Sequence, residues 1–494
     1  MFAAGFILAF LVFILAIALL NLSSERIGRG DDESGEGTTN DSQESGTSNS
    51  EALGSSSSGN SNTTQDAASD ASHLADTNQS RKQLGDSSEL MPSTNSATVT
   101  EPAAATDEAA TTRTTRNFFT LDSNRSLSLS EAADEPATGV RAGIQDSLSG
   151  RQRGSKGELL RTGGGTSATE GAVKLGLEWL AKNQQSNGLW SLSGPYDDGG
   201  MEENVAAATA MALLAFQGAG HTHKGDPKDP YTAVVARGSA ALVEHIRTEG
   251  EKYRNAGIHG GYTQALCTIA LCELYGMTHD AKLRKPVQNA VDYCIEAQST
   301  EGGWRYIPRQ DSDTSVTGWF VLALQSAQMA GLKVPNETLA RVGIYLDSAG
   351  NDDGTRYGYQ QGTVATRSMT AEALLCRQYL GWKQDDPRLI DGADYLSDEL
   401  PSWDTPNVYY WYYATQVLHH LGGRRWSLWN EVMRETLPSE QITDGPERGS
   451  WRPRGDIHAH AGGRLYVTCM CLYMLEVYYR HLPIYQASSV GASN

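Results

Sequence analysis

Hydrophobic positions in the last two thirds of the chain fall into two kinds of stretch that alternate. The first kind is amphipathic. Across Ala172 to Trp190 (AVKLGLEWLAKNQQSNGLW), Val173, Leu177 and Leu180 recur at i, i+4 and i+7, one apolar stripe of a helix. The segment Gln185 to Trp190 breaks that period and sets a Trp behind Gly188. The second kind follows as Ala206 to Phe216 (AAATAMALLAF), apolar on every side, the pattern of a buried helix.

This pair recurs six times. The wholly apolar runs are Ala206–Phe216, Ala265–Tyr275, Trp319–Ala330, Ala371–Leu380, Ala414–Leu421 and Val467–Tyr478. Their amphipathic partners begin near Ala172, Val234, Val287, Leu339, Leu389 and Trp426. Gly218, Gly276, Gly331, Gly381 and Gly422 follow the first five runs and are expected as left-handed helix stops. A repeat of about 40 to 60 residues signals a stacked or closed array. An open stack needs polar end caps, yet the last run, VTCMCLYMLEVYY, is among the most apolar. The pattern therefore predicts an all-α (α/α)6 toroid, six apolar helices inside and six amphipathic ones outside, over residues 166–485.

The first third of the chain reads differently. Residues 23–165 are mostly Ser, Thr, Asn, Gly, Ala and acid, with Phe118 and Phe119 the sole aromatics. Such a stretch buries too little apolar surface to offset its ordering entropy, so a disordered linker is expected there, as is a short flexible tail at 486–494. Met1 to Leu20 is an unbroken apolar run long enough to span a bilayer. With no basic head before it, the run reads as a retained anchor at residues 1–22 rather than a cleaved signal. A single-pass membrane location is the expectation, the side left open.

The net charge of −19 argues against a nucleic-acid partner, which would favour a basic face. The six cysteines lie inside the helical pattern with no CxxC spacing, and read as small core residues.

Gln185-x-x-Gly188-x-Trp190 and Gln298-x-x-x-Gly302-x-Trp304 resemble the Gln–Trp turn of squalene–hopene cyclases, and Gly449-Ser-Trp451, with Gln441 upstream, resembles a degenerate third copy. The whole repeat region is similar to the terpenoid cyclase and protein prenyltransferase superfamily, which implies the same toroid around an apolar central cavity. Squalene–hopene cyclases protonate an alkene with the middle acid of Asp-x-Asp-Asp-Thr. Here Asp311-Ser312-Asp313-Thr314-Ser315 is the nearest match, and the resemblance makes Asp313 the candidate acid, against the plainer role of helix cap. Tyr466-Val467-Thr468-Cys469-Met470-Cys471 resembles the prenyltransferase Tyr-His-Thr-Cys-x-Cys, but Val467 replaces the zinc-binding His. Asn407-Val408-Tyr409 stands where Asp-x-Cys belongs. Zinc-dependent prenyl transfer is not expected, nor is any cofactor.

His221-Thr-His223 and Asp456-Ile-His458-Ala-His460 have spacings that can clasp a metal, weighed against ordinary loop polarity, and no metal is assigned. In a closed ring the turns converge on one mouth. The residues expected at a ligand there are Trp304, Tyr306, Trp319, Tyr409, Trp411, His259, His419 and His458. The leading expectation is a cyclase-like toroid holding an apolar, isoprenoid-type small molecule or lipid, with catalysis open. The alternatives are a non-catalytic membrane-tethered scaffold and a carbohydrate-active toroid.

Overall fold

The computed structural model describes residues 147–151, 153–249 and 259–485. The expected anchor at 1–22, the linker up to residue 146 and the tail from 486 lie outside these residues. The expected membrane location is corrected: among the described residues no helix is long and apolar enough to cross a membrane. Their longest apolar helix, Gly260–Thr278, carries Gln264 and Glu273 and is buried within the fold.

Six pairs follow one another. The outer helices are α2 (Ser167–Lys182), α4 (Thr232–Glu249), α6 (Ala281–Glu296), α8 (Asn336–Ala349), α10 (Pro387–Ser397) and α12 (Gly423–Ser439). The inner ones are α3 (Val205–Gly218), α5 (Gly260–Thr278), α7 (Thr314–Met329), α9 (Arg367–Tyr379), α11 (Val408–Leu421) and α13 (Ala459–Leu475). Each inner helix packs on the next, and α13 packs back on α3, so the ring closes. The outer layer closes with it, since α2 lies against both α12 and α13. The inner helices are buried nearly throughout, whereas the outer ones bury a single stripe, as their apolar periods require. Side-chain caps start four of the six inner helices: Asn204 accepts from Ala207 N, Asp313 from Val316 N, Thr366 from Met369 N and Asn407 from Tyr410 N.

The turns between outer and inner helices repeat one arrangement. Trp190, Trp304 and Trp451 donate their indole N–H to the last carbonyls of their own outer helices, on Leu180, Cys294 and Leu437, at 2.7–2.8 Å. Their backbone N–H groups donate to Thr209, Thr317 and Thr468 on the following inner helix. A glutamine then bridges the turn to the next outer helix. Gln298 donates to Gly302 O and Thr338 O, and Gln184 to Gly188 O and Val234 O. Gln441 donates to Gly449 O and Ala172 O, joining the last pair to the first. The side chain in the first turn is thus Gln184 rather than Gln185, whose backbone closes the turn by hydrogen bonds with Gly188 and Leu189. Gly302 and Gly449 have φ of 102° and 98°, and a Cβ on either would come within 2.1 Å of a carbonyl of the next outer helix. That contact excludes any larger residue.

Two of the expected glycine stops do other work. Gly276 lies inside α5, whose left-handed cap is His279, and Gly218 ends α3 without a left-handed φ. A Cβ on Gly276 would strike Leu148, and one on Gly218 would meet Glu476 and Arg480. Both clear space for segments outside the six pairs. One is a 3-10 turn, Ser147–Arg151, followed by α1 (Arg153–Gly163), where only linker was expected. It is held because Arg151, 2% exposed, pairs with Glu273 at 2.7 Å. The other is the short α14 (Val477–Arg480).

Candidate functional site

The inner helices' N-terminal ends surround a cavity of about 760 Å³. Its walls carry Tyr262, Tyr306, Tyr359, Tyr409 and Tyr466, with Leu266, Met211, Met369 and Trp319 deeper in, and Glu202, Glu203, Glu249, His245 and His259 also line it. Trp319 stacks on Tyr412, ring centroids 5.8 Å apart, and packs edge-on against Tyr413. Trp319 also lines a much smaller cavity that Tyr412 shares, so these rings separate the two spaces.

Two hydrogen-bonded chains run from the tyrosines into the protein. In one, Tyr262 donates to Ser315 Oγ at 3.0 Å, Ser315 lies 2.6 Å from Tyr409 Oη, and Tyr409 donates to both oxygens of Glu372. Glu372 is fully buried, and burial raises its carboxyl well above the ordinary range although the Tyr409 hydrogen bonds oppose this. It fits because position 318 is glycine: a Cβ there would lie 2.1 Å from Glu372 Oε1. In the other chain Tyr306 and Tyr359 share a hydroxyl contact, and Tyr359 donates to Asp313 Oδ2 at 2.9 Å.

Asp313 is fully buried and caps α7 by accepting from Val316 N at 2.6 Å. Arg305 Nε lies 3.3 Å away. Burial pushes its carboxyl up to about 6, opposed by the Val316 and Tyr359 hydrogen bonds and by Arg305. Asp313 does not line the cavity; Tyr359 stands between.

Of the residues expected at a ligand, Tyr306, Trp319, Tyr409, His259 and His458 line this cavity. Trp304 stacks on Phe320 inside its turn, and Trp411 packs edge-on against Trp403. His419 sits at the far end of α11 against Trp426, and burial drives it down to about 4, so it is neutral. Tyr262, Tyr466, Ser315 and Glu372 were not among the residues expected at a ligand, although Ser315 and Tyr466 stand in the quoted motifs. For three of them the signal is a shared Thr in the inner helices: Ser315 and Tyr466 lie two residues before Thr317 and Thr468, and Glu372 two after Thr370, as Trp319 is after Thr317. Positions i and i+4 share one helix face.

His221 pairs with Asp229 and His223 with Asp280, each at 2.7 Å, so the His-x-His segment splits between two partners. Among the described residues no group of three or more His, Cys, Asp or Glu is placed to hold a metal ion. All six cysteines are buried, and none forms a disulfide. On the cavity rim His259 pairs with Glu202, while Glu203 accepts from Ser191 Oγ and Leu192 N.

No family model matches the chain, and no curated protein matches it. Among solved structures it is similar to an inactive variant of the α-1,6-mannanase GH76A of a Salegentibacter species in complex with α-1,6-mannotriose. The identity is 14%, covering 63% of this chain and 99% of that one, with a TM-score of 0.46. It is also similar to a variant of the type II terpene cyclase MstE from Scytonema in complex with geranylgeranyl dihydroxybenzoate. There the identity is 11%, covering 63% and 97%, with a TM-score of 0.41. Likenesses of this size bear on no residue of the site.

Proposed function

We propose that the toroid binds a small molecule with a largely apolar body and a few polar groups in the tyrosine-walled cavity. The observation that carries this is the cavity itself. Its volume of about 760 Å³ falls in the range of small-molecule sites, and an apolar floor meets tyrosine hydroxyls and other polar side chains in it. Trp319, Leu266, Met211 and Met369 supply contact for the apolar body, and the Tyr262 and Tyr409 hydroxyls supply orientation. An interior left open at this volume favours a ligand over a scaffold with a filled centre. The squalene–hopene-cyclase-like turns sit with this reading. Zinc-dependent prenyl transfer is not part of it, since Val467 and Asn407 offer no zinc ligand in place of His and Asp.

Alkene protonation is not part of it either. Both Asp313 oxygens accept from the protein, and a carboxyl at about 6 beside Arg305 is a poor source of a proton for carbon. A saccharide is the second reading, favoured by the tyrosine hydroxyls and by Glu202, Glu203 and Glu249 lining the cavity.

Mass spectrometry of small molecules retained by the purified full chain tests both readings. A retained apolar compound supports the first, and a retained oligosaccharide replaces it with the second. Ala207→Phe narrows the cavity from α3 and is expected to lose the compound while its far-ultraviolet circular dichroism stays unchanged. Asp313→Asn is expected to retain it. If Ala207→Phe still carries the compound, the site lies elsewhere.

A further inference from the structure

The hydroxyl protons around the tyrosine-walled cavity all run one way. Tyr409 gives its single proton to Glu372, so in its 2.6 Å contact with Ser315 it is Ser315 that donates, and Ser315 Oγ accepts from Tyr262. The second chain obeys the same count: Tyr359 donates to Asp313, so Tyr306 donates to Tyr359. A phenol has one proton to give and lone pairs with which to accept. Four of the five wall tyrosines have thus spent their protons inside the protein, and what Tyr262 and Tyr306 have left is acceptor capacity. The fifth, Tyr466, has a buried hydroxyl with no hydrogen-bond partner among the described residues, a gap that a ligand can close.

Charge points in the same direction. Glu202, Glu203 and Glu249 line the cavity, and among the described residues lining it there is no Lys or Arg. Arg305 comes 4.8 Å from the Tyr306 ring centroid without lining the cavity, and Asp311 at 2.6 Å and Asp313 at 3.3 Å hold it. Of the lining histidines, His259 faces Glu202, and burial keeps His458 below its ordinary range against the pull of Asp456. His245 is the third. The N-terminal ends of the inner helices carry partial positive charge, which works against a cation. That effect fades beyond the first turn, and Asn204, Asp313, Thr366 and Asn407 already meet four of those ends with cap oxygens. A cleft lined by one sign of charge between low-dielectric walls concentrates ions of the other sign. Tyrosine and tryptophan rings attract cations as well.

We propose that the ligand of this cavity is an organic ammonium ion, a protonated amine on an apolar body, which rests on the small-molecule reading above. Its N–H groups meet the spare lone pairs of Tyr262 and Tyr306 and the open hydroxyl of Tyr466. Its body lies against Trp319, Leu266 and Met211, and the three glutamates supply the field that draws the charge in.

Isothermal titration calorimetry of the full chain with decylammonium chloride, 1-decanol and sodium decanoate tests this, since the three share one chain and differ in head charge. Decylammonium is expected to bind at least about tenfold more tightly than either of the others. The double variant Glu202→Gln/Glu249→Gln keeps the shape of both side chains and is expected to lose about tenfold for decylammonium, with decanol little changed. Ala207→Phe, which narrows the cavity, is expected to abolish decylammonium binding. Equal affinity for the three probes, or a preference for decanoate, overturns the ammonium assignment and leaves the small-molecule reading standing. Undiminished decylammonium binding in Ala207→Phe overturns it too, because the cation then sits on the acidic outer surface. Binding of none of the probes also overturns it, while the mass spectrometry of retained compounds decides the small-molecule reading separately.

Discussion

Asp313 shows how one residue type carries two readings that only its neighbours separate. As a cap it needs an acceptor oxygen on the first turn of α7, which Asn also offers. Asp313→Asn is therefore expected to fold normally, and Asp313→Ala to lose about 1 kcal/mol of stability by urea unfolding. The charge adds a pH signature. Burial raises this carboxyl from 3.8 to about 6, so the folded state holds its proton more tightly than the unfolded chain does. Its contribution to stability is complete below about pH 3.8 and falls away as the pH rises through about 6. The stability difference between Asp313→Asn and the parent is expected to shift in favour of the variant across that window and to stay flat above it. A difference that does not change between pH 4 and pH 7 would show that Asp313 titrates normally. The sequence showed Asp313, Tyr306 and Tyr409 because they stand beside recognisable turns. It hid Glu372, whose one mark is its place two residues after Thr370, and Tyr262, which precedes its apolar run and stands two residues before Gln264 rather than before a Thr. Trp304 and Trp411 looked like site residues for the opposite reason: a large aromatic at a turn serves a staple as readily as a ligand.

At the scale of the element, the alternation of amphipathic and wholly apolar stretches was enough to place all twelve helices of the six pairs, because burial on one face or on all faces writes itself directly into the periodicity. What it did not reveal was the part played by single glycines. Gly276 follows an apolar run as a helix stop does, yet the helix continues through it, and the glycine there leaves room for Leu148. Nor did composition mark Ser147–Arg151 as ordered, since one buried ion pair anchors it rather than a run of apolar residues. The glutamine staples make a sharper claim. Gln298 lies in mid-ring and Gln441 at the seam, and each satisfies two carbonyls with one amide group. Replacing either by Leu removes both hydrogen bonds and leaves the turn carbonyl, Gly302 O or Gly449 O, without that donor, at a cost of roughly 1–3 kcal/mol. Chemical denaturation is expected to give similar losses for Gln298→Leu and Gln441→Leu. A negligible loss at Gln441 alone would mean that the seam is loose.

Closure makes the first and last pairs neighbours and gives the molecule its cavity. Three further contacts span the seam: the Trp179 indole donates to Glu447 at 2.8 Å, Arg464 reaches the Asp197 carbonyl at 2.7 Å, and Arg464 N donates to Asp198 O. In an open stack each terminal unit has one neighbour and opens first, since stability there is a sum of nearest-neighbour terms. In a ring every unit has two. Amide protection should then be nearly uniform around the inner layer, because opening any one inner helix breaks two inter-pair faces at once. Hydrogen exchange read by mass spectrometry is expected to show α3 and α13 exchanging as slowly as α7, with the outer helices faster than all three. Exchange in α13 faster by a hundredfold or more would mean the ring opens at its seam. The cavity would then open with it, since Ala206 and Ala207 of α3 and Gly462 and Tyr466 of α13 form wall on either side of that seam.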